Sequence, residues 1–394
     1  MADNRHLFLQ YLAQTSDDPY LLEIERAEGI YLYGPDGKAY VDLVSGVSVS
    51  NLGHGHPKIL EAIRKQAGRY LHLHVYGELV QEPQVALAAA LAEVLPETLS
   101  CTYFVNSGSE AVEGALKLAR RHTGKQRTIA FRKAYHGSTL GALGLMGGEG
   151  YKNAFRPVPP GTSFLDFNDF GGLDEIDRSV AAVMMEPIQG EAGIVLPEKG
   201  FLEEIRRRCD TTGTLLVFDE VQTAFGRTGT MFAFEHWNVV PDVLVLAKAL
   251  GGGMPLGAFI ASPDIMKSLC SDPPLGHITT FGGHPVSCAA GLASLRALLG
   301  EGWIGQAAEK ERLFREHLSH PSIREIRGMG LYLAVELGDA DKAYRFLRLA
   351  LSDGIVSDSF LFHETAFRVS PPLTITPQQI LEVCKRLKGL LDRL

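Results

Sequence analysis

Cysteine is sparse in this chain, with five in 394 residues and no C-x-x-C pair. Cys101, Cys209, Cys270, Cys288 and Cys384 stand singly, which excludes a disulfide framework or a structural zinc site and reads as reduced packing residues. Positive charge is not in excess either. Lys and Arg number 38 against 46 Asp and Glu, and the net charge of −8 leaves no electrostatic footprint for nucleic acid. No apolar run approaches the ~18 residues of a membrane span. The opening residues lack the charged-then-apolar pattern of a secretion signal, so a soluble, cytoplasmic protein is expected. Repeats and low-complexity tracts are missing. A composition of 45% hydrophobic and 21% charged residues fits neither disorder nor a coiled coil. The length exceeds what one core usually supports, so a large α/β domain with a smaller companion is the expectation.

What is present is organised around two apolar runs, Leu215 to Phe218 and Val243 to Leu246, the first leading to Asp219 and the second to Lys248. Neither run alternates with polar residues, the pattern of strands buried on both faces in a parallel sheet. Open α/β sheets bind ligands at the ends of such strands. A lone Asp or Lys there is usually solvated or ion-paired. The two together match the needs of pyridoxal phosphate, which requires an amine to hold its aldehyde as a Schiff base and a carboxylate to keep its ring nitrogen protonated.

Other segments take places around this pair. Glu28 to Asp42 reads as a hairpin about Pro35-Asp-Gly37, followed by a glycine-rich stretch from Ser45 to Pro57 suited to a loop against a ligand or a neighbouring subunit. The His54/His56 and His72/His74 pairs raise a metal site, but no acidic or thiol partner stands at ligand spacing, and hydrogen-bonded loop histidines are the better reading. Cys101 to Val105 reads as a strand, and Asn106-Ser-Gly-Ser-Glu110 as a capped turn into a helix, with Ser107 and Glu110 spaced as a capping box. Ser107, Gly108 and Ser109 would offer backbone N–H groups and the positive end of the helix dipole to a phosphate. Tyr135, past the strand Thr128 to Phe131, either lies on a cofactor ring or packs. Val180 to Met185 is a further buried strand, and Glu191 sits on a glycine-flanked turn beyond it. A long helix spans Val286 to Leu299. The α+β alternation after about residue 300 includes a single strand at 330–336, a strand-like segment at Phe367 to Val369 and a closing helix from Pro377.

The motifs Asn106-Ser-Gly-Ser-Glu110, Tyr135-His136-Gly137, Glu186-Pro-Ile-Gln-Gly-Glu191, Phe218-Asp219-Glu-Val-Gln222, Ala247-Lys248-Ala-Leu-Gly-Gly-Gly253 and Thr280-Phe-Gly-Gly-His-Pro285 occur in one order along nearly the whole chain. In that combination the sequence resembles the class III pyridoxal-phosphate aminotransferases, a family that includes acetylornithine, ornithine and 4-aminobutyrate aminotransferases. The resemblance implies fold type I, with a mostly parallel seven-stranded sheet in a large domain (residues 56–299), a smaller α+β domain (300–394), and an N-terminal arm (1–55) belonging to the smaller part. It also implies that Lys248 is the Schiff-base lysine and proton carrier, Asp219 the partner of the pyridine nitrogen, and Gln222 a neighbour of the cofactor's phenolic oxygen. Ser107, Gly108 and Ser109 match the phosphate turn, Tyr135 the stacking aromatic, and Thr280 a hydroxyl that reaches the neighbouring subunit's phosphate, which implies a homodimer with shared sites.

The resemblance is specific for family and weak for substrate. Those three named enzymes carry an arginine where Ser138 stands, and a serine forms no bidentate ion pair with a carboxylate. Arg368 matches the arginine that binds the α-carboxylate of glutamate, and Glu191 the residue that pairs with it when that carboxylate is absent. The distal carboxylate is then held by something weaker, or by a mobile arginine such as Arg156, and the expected reaction is ping-pong transfer from a terminal amine or ω-amino acid to a keto acid such as 2-oxoglutarate. An aminomutase, decarboxylase or racemase on the same scaffold, or a non-enzymatic binding protein, is the alternative.

Overall fold

The computed structural model describes residues 4–74 and 78–394. Its central element is a seven-stranded sheet with the spatial order Cys101–Val105, Gly257–Ala261, Val243–Leu246, Leu215–Asp219, Val180–Met185, Arg127–Phe131, Thr162–Leu165. Neighbours are parallel from Val243–Leu246 through to Thr162–Leu165, and Gly257–Ala261 runs antiparallel to both strands beside it. The unalternating apolar runs are buried along their whole length, as strands covered on both faces must be.

The two faces carry separate cores. Val217, Val245, Ala182 and Phe259 point to a face covered by the helix Gly108–Thr123, while Leu216, Phe218, Leu244 and Ile260 join the larger core on the other side. That helix lies close on the sheet because Gly114 faces it: a Cβ there would come within 2.3 Å of the Phe259 ring. Pro285–Gly300, with proline in its first turn, packs against the helices Pro57–Ala67 and Glu82–Val94 on the larger core. Among the described residues no helix is long and apolar enough to cross a membrane.

Two smaller sheets stand beside the large one. In the first, Arg26–Glu28, Tyr31–Tyr33 and Ala39–Asp42 pair antiparallel, and Ile355–Val356 adds parallel to the last of them, so the early hairpin is joined to the late part of the chain. The second is Glu325–Met329, Tyr332–Glu336 and Ala366–Val369, all antiparallel. The single strand expected at 330–336 is therefore half of a hairpin. Gly330, at φ 61°, makes the turn between the two strands, a conformation that costs glycine little.

One buried side chain ties these parts together. Arg227 donates from Nη1 to the carbonyls of Leu331 (2.9 Å) and Pro371 (2.6 Å) and from Nη2 to Asn51 Oδ1 (2.5 Å). It is fully enclosed. Truncation would strand three acceptors without water, each costing about 1–3 kcal/mol. Arg227→Ala is therefore expected to lower unfolding free energy by about 3 kcal/mol or more, read from urea denaturation; a loss within about 0.5 kcal/mol, typical of surface substitutions, would contradict this role.

Candidate active site

The parallel strands all end at one edge of the sheet, and the residues singled out in the sequence lie just beyond those ends. A cavity of about 350 Å³ there is bounded by Ser107, Gly108 and Ser109, by Tyr135 and His136, by Glu186, by Asp219 and Gln222, and by Lys248. Chain order scatters these groups over more than a third of the sequence. Parallel pairing gathers them, because every crossover returns the chain to the same edge.

Asp219 is nearly inaccessible. Its Oδ1 accepts from the Val221 N–H (3.0 Å) and its Oδ2 lies 2.8 Å from His136 Nδ1. The His136 ring is enclosed and its Nε2 has no hydrogen-bond partner among the described residues. His136 thus acts as a fixed prop for the carboxylate, a partner that sequence reading quoted in a motif but gave no role. Glu186, also enclosed, accepts from the backbone N–H groups of Tyr135 (3.3 Å) and Gly190 (3.2 Å). Burial, then the nearby Asp219 charge, raises its carboxyl well above the ordinary range. Two adjacent carboxyls in one dry site resist double ionisation.

Lys248 adopts φ 50°, left-handed for a residue with a Cβ, at the start of a short 3₁₀ turn. Such strain persists only where the surroundings hold it, and it clusters at functional sites. Among the described residues no hydrogen bond or ion pair engages its Nζ. Burial depresses its pKa to about 8; Arg368 adds to the depression, while Glu191, Asp219 and Glu186 act against it. Near neutrality a useful fraction of this amine is already uncharged and nucleophilic.

The helix start behaves as the sequence implies, with one difference. Ser107 Oγ accepts from Glu110 N–H (3.2 Å), but the Glu110 carboxylate reaches Asn106, both its N–H (2.7 Å) and its Nδ2 (2.8 Å), instead of closing the box on Ser107. The N–H groups of Gly108 and Ser109, in the first turn of the helix, have no partner among the described residues, and both residues line the cavity. Gly137 packs so closely that a Cβ would meet Ser109 Oγ at 2.1 Å. An amine, a buried carboxylate, an aromatic ring and free helix N–H groups around one cavity fit the pyridine ring, aldehyde and phosphate of pyridoxal phosphate.

A second cavity, about 740 Å³, shares Tyr135, Gln222 and Lys248 with the first and is lined in addition by Glu191 and Arg368. Arg368 is 1% exposed and bonded through every nitrogen: Nε to Asp358 Oδ1 (2.7 Å), Nη1 to Gln222 Oε1 (3.2 Å) and Nη2 to Glu191 Oε1 (2.9 Å). Burial raises the Glu191 carboxyl, but the Arg368 guanidinium and the Gln222 amide outweigh it and hold the group below the usual carboxylate value. Gln222 also accepts from Tyr332 O–H (3.0 Å), so its amide belongs to this network as much as to the first cavity. Asp358 and Tyr332 went unnoticed in the sequence because nothing local marks them.

Other residues fall elsewhere. Ser138 lies beside the first cavity, its Oγ 3.2 Å from Tyr135 O–H and its N–H donating to Ser109 Oγ (3.3 Å). Thr280 is exposed and does not line either cavity of its own chain, while its neighbour Thr279 accepts from Asn106 Nδ2 (3.1 Å). Arg156 is paired with Glu149 (2.7 Å) and lines neither cavity, so the expected mobile arginine is occupied elsewhere. His54 meets Asp42 and His56 meets Glu301. Between the cavities runs a turn in which Ser45, Gly46, Val47 and Ser48 all have φ between 55° and 64°, a left-handed turn costly for β-branched Val47. Asp42 Oδ1 holds it by accepting from Val44 and Ser45 N–H, and Ser45 Oγ donates to the Ser370 carbonyl.

The sheet order and the edge on which these groups meet define a fold type I α/β transferase. The family model for aminotransferase class-III matches residues 12–391, and the chain belongs to that family, whose members are pyridoxal-phosphate-dependent transaminases. It is similar to the acetylornithine aminotransferase of Methanopyrus kandleri, 42% identical over 80% of this chain and 81% of that one. The acetylornithine aminotransferase of Methanosarcina mazei is 40% identical over 94% and 92%. Among solved structures, ornithine aminotransferase from Toxoplasma gondii superposes with a TM-score of 0.90 at 32% identity, covering 98% of this chain and 94% of that one. The omega transaminase of Pseudomonas jessenii in complex with PMP gives 0.93 at 27%, covering 100% and 98%.

The depressed lysine has a measurable consequence. In cofactor-free protein, labelling of Lys248 by an amine-directed reagent should rise with a midpoint near pH 8, followed peptide by peptide in the mass spectrometer. The folded-state pKa lies below the unfolded value, so the cost of burying the charged form is present below pH 8 and fades as pH rises toward ~10.4. A labelling midpoint at ordinary lysine values would contradict the electrostatics described here.

Proposed function

We propose that this transaminase moves an amino group from a terminal amine or ω-amino acid to a keto acid such as 2-oxoglutarate, in a ping-pong cycle at the cavity around Lys248. What supports this most is the meeting of Lys248, Asp219 and the start of the helix Gly108–Thr123 around one cavity at the carboxyl edge of the sheet. Bound pyridoxal phosphate supplies an aldehyde that captures amines and a ring that takes up the electron pair left on the substrate carbon.

The chain's own groups supply the rest. Lys248 Nζ, its pKa lowered by burial, would hold the cofactor's aldehyde and would serve as the group that moves the proton at the reacting carbon. Asp219, its geometry set by His136 and the Val221 N–H, holds a proton on the pyridine nitrogen. The N–H groups of Gly108 and Ser109, with Ser107 as the cap, take the phosphate charge at the helix terminus. Tyr135, in the cavity wall, would stack on the ring, and Gln222 joins that site to the Arg368 network. Arg368 is the carboxylate site, open only when Glu191 gives way.

The same reading makes the protein a cytoplasmic homodimer in which Thr280 serves the neighbour's phosphate. Its support is the exposure of Thr280 among outward apolar residues, Leu71, Leu73, Val80, Ile278 and Phe281, which a symmetric partner would cover.

Borohydride treatment of the cofactor-loaded protein should leave the label on the Lys248 peptide alone, and Lys248→Ala should lose at least about a thousandfold in turnover while keeping its melting temperature. Label recovered on any other lysine would end the assignment.

A further inference from the structure

The larger cavity carries more information about the donor than the family does. Four carboxylates line it: Glu191, Asp341, Asp358 and Glu364. Among the described residues its cationic lining is Lys248, the reacting amine, and Arg368. Arg368 faces two carboxylates at once, Glu191 at 2.9 Å and Asp358 at 2.7 Å, and its face is covered by the Phe360 ring, 4.6 Å from the centroid. The cluster of one guanidinium and two carboxylates, Arg368 and Glu191 buried and Asp358 partly exposed, is therefore net negative. Asp341 and Glu364 are exposed on the cavity's outer side and take part in no ion pair among the described residues.

This arrangement discriminates by the charge at the donor's far end. A donor carboxylate reaching for Arg368 would have to displace the partly exposed Asp358, or displace Glu191 and leave that buried anion without its partner, a strongly unfavourable change when uncompensated. It would also pass Asp341 and Glu364. A cation meets the opposite field, since the outer carboxylates attract it and no buried pair is broken. The stem between the two ends would run along Leu347, Phe360 and Leu361, apolar residues of the same cavity. Lys248 Nζ, unpartnered and aimed into the cavity, marks the end at which the reacting amine sits.

Resting on the transaminase reading above, we infer that the preferred donor is a diamine or polyamine, one primary amine reacting at Lys248 and a second protonated amine held by Asp341, Glu364 and the outer face of Asp358. In the net exchange the donor's amino group and hydrogen pass to the keto acid, which leaves as an amino acid. One water supplies the oxygen of the donor carbon, which leaves as an aldehyde, and the keto oxygen of the acceptor leaves as another water, so the exchange balances and no external oxidant is required. Asp358 is the specificity-determining residue here, because it adds the second negative charge on Arg368 that Glu191 alone would not.

Three donors with matched five-carbon chains separate the outcomes: 1,5-diaminopentane, 1-aminopentane and 5-aminopentanoate, whose far ends are positive, neutral and negative. The half-reaction of the cofactor-loaded protein is followed by the loss of the cofactor's visible absorbance. The order of kcat/KM should be diamine, monoamine, amino acid, with about tenfold or more between the extremes and a gap that narrows as salt is raised. Asp341→Asn and Glu364→Gln should each lower the diamine-to-monoamine ratio about threefold, and Asp358→Asn should raise the relative rate of 5-aminopentanoate. Calorimetric binding of the three compounds to Lys248→Ala protein should follow the same order without turnover. If the monoamine reacts but 5-aminopentanoate equals or exceeds the diamine, this inference is overturned and the transaminase reading stands. If none of the three reacts, the terminal-amine reading falls and this inference with it.

Discussion

The contact on which the rest of the site depends is the one between Asp219 and His136. A carboxylate at the end of a central strand, nearly closed off from water, is stable there only if its oxygens are paired. The His136 ring takes one oxygen and the Val221 N–H the other. That pairing fixes where a negative charge sits relative to Lys248, and the neighbouring Glu186 carboxyl is raised by its burial and further by that charge. Both sides of the pair come from strand ends, Asp219 from Leu215–Asp219 and His136 from the segment after Arg127–Phe131, so the sheet order itself sets the distance.

From this point the influence passes outward through Gln222, three residues beyond Asp219. Its amide touches Glu191, Arg368 and Tyr332. The two cavities are thus linked through Gln222, which lines both together with Tyr135 and Lys248. Movement of Glu191 on or off Arg368 must change the hydrogen bonds of Gln222, which gives a physical route by which the occupant of one cavity alters the other.

Much of this was legible in the sequence because buried parallel strands have a plain signature. Leu215 to Phe218 and Val180 to Met185 read as strands since nothing polar interrupts them, and the functional residues follow directly at their ends. The edge strand Thr162–Leu165 was missed because it is short and only partly buried, so its apolar pattern is weak. The pairing of Ile355–Val356 with Ala39–Asp42 spans most of the chain and has no local mark. The Asp358 contact to Arg368 closes over only ten residues, but it too has no local mark. The left-handed turn at 45–48 was read as a ligand-facing loop from its glycines, but its handedness comes from Asp42 and Ser370, which the glycines do not announce.

The central claim is that the buried carboxylate of Asp219 keeps the cofactor's ring nitrogen protonated. Nitrogen NMR of protein loaded with cofactor labelled at that atom reads the protonation directly. The account predicts a protonated nitrogen in the wild-type protein at pH 8 and an unprotonated one in Asp219→Asn, whose amide keeps the shape and loses the charge. An unprotonated nitrogen in the wild type, or no difference between the two proteins, would contradict it.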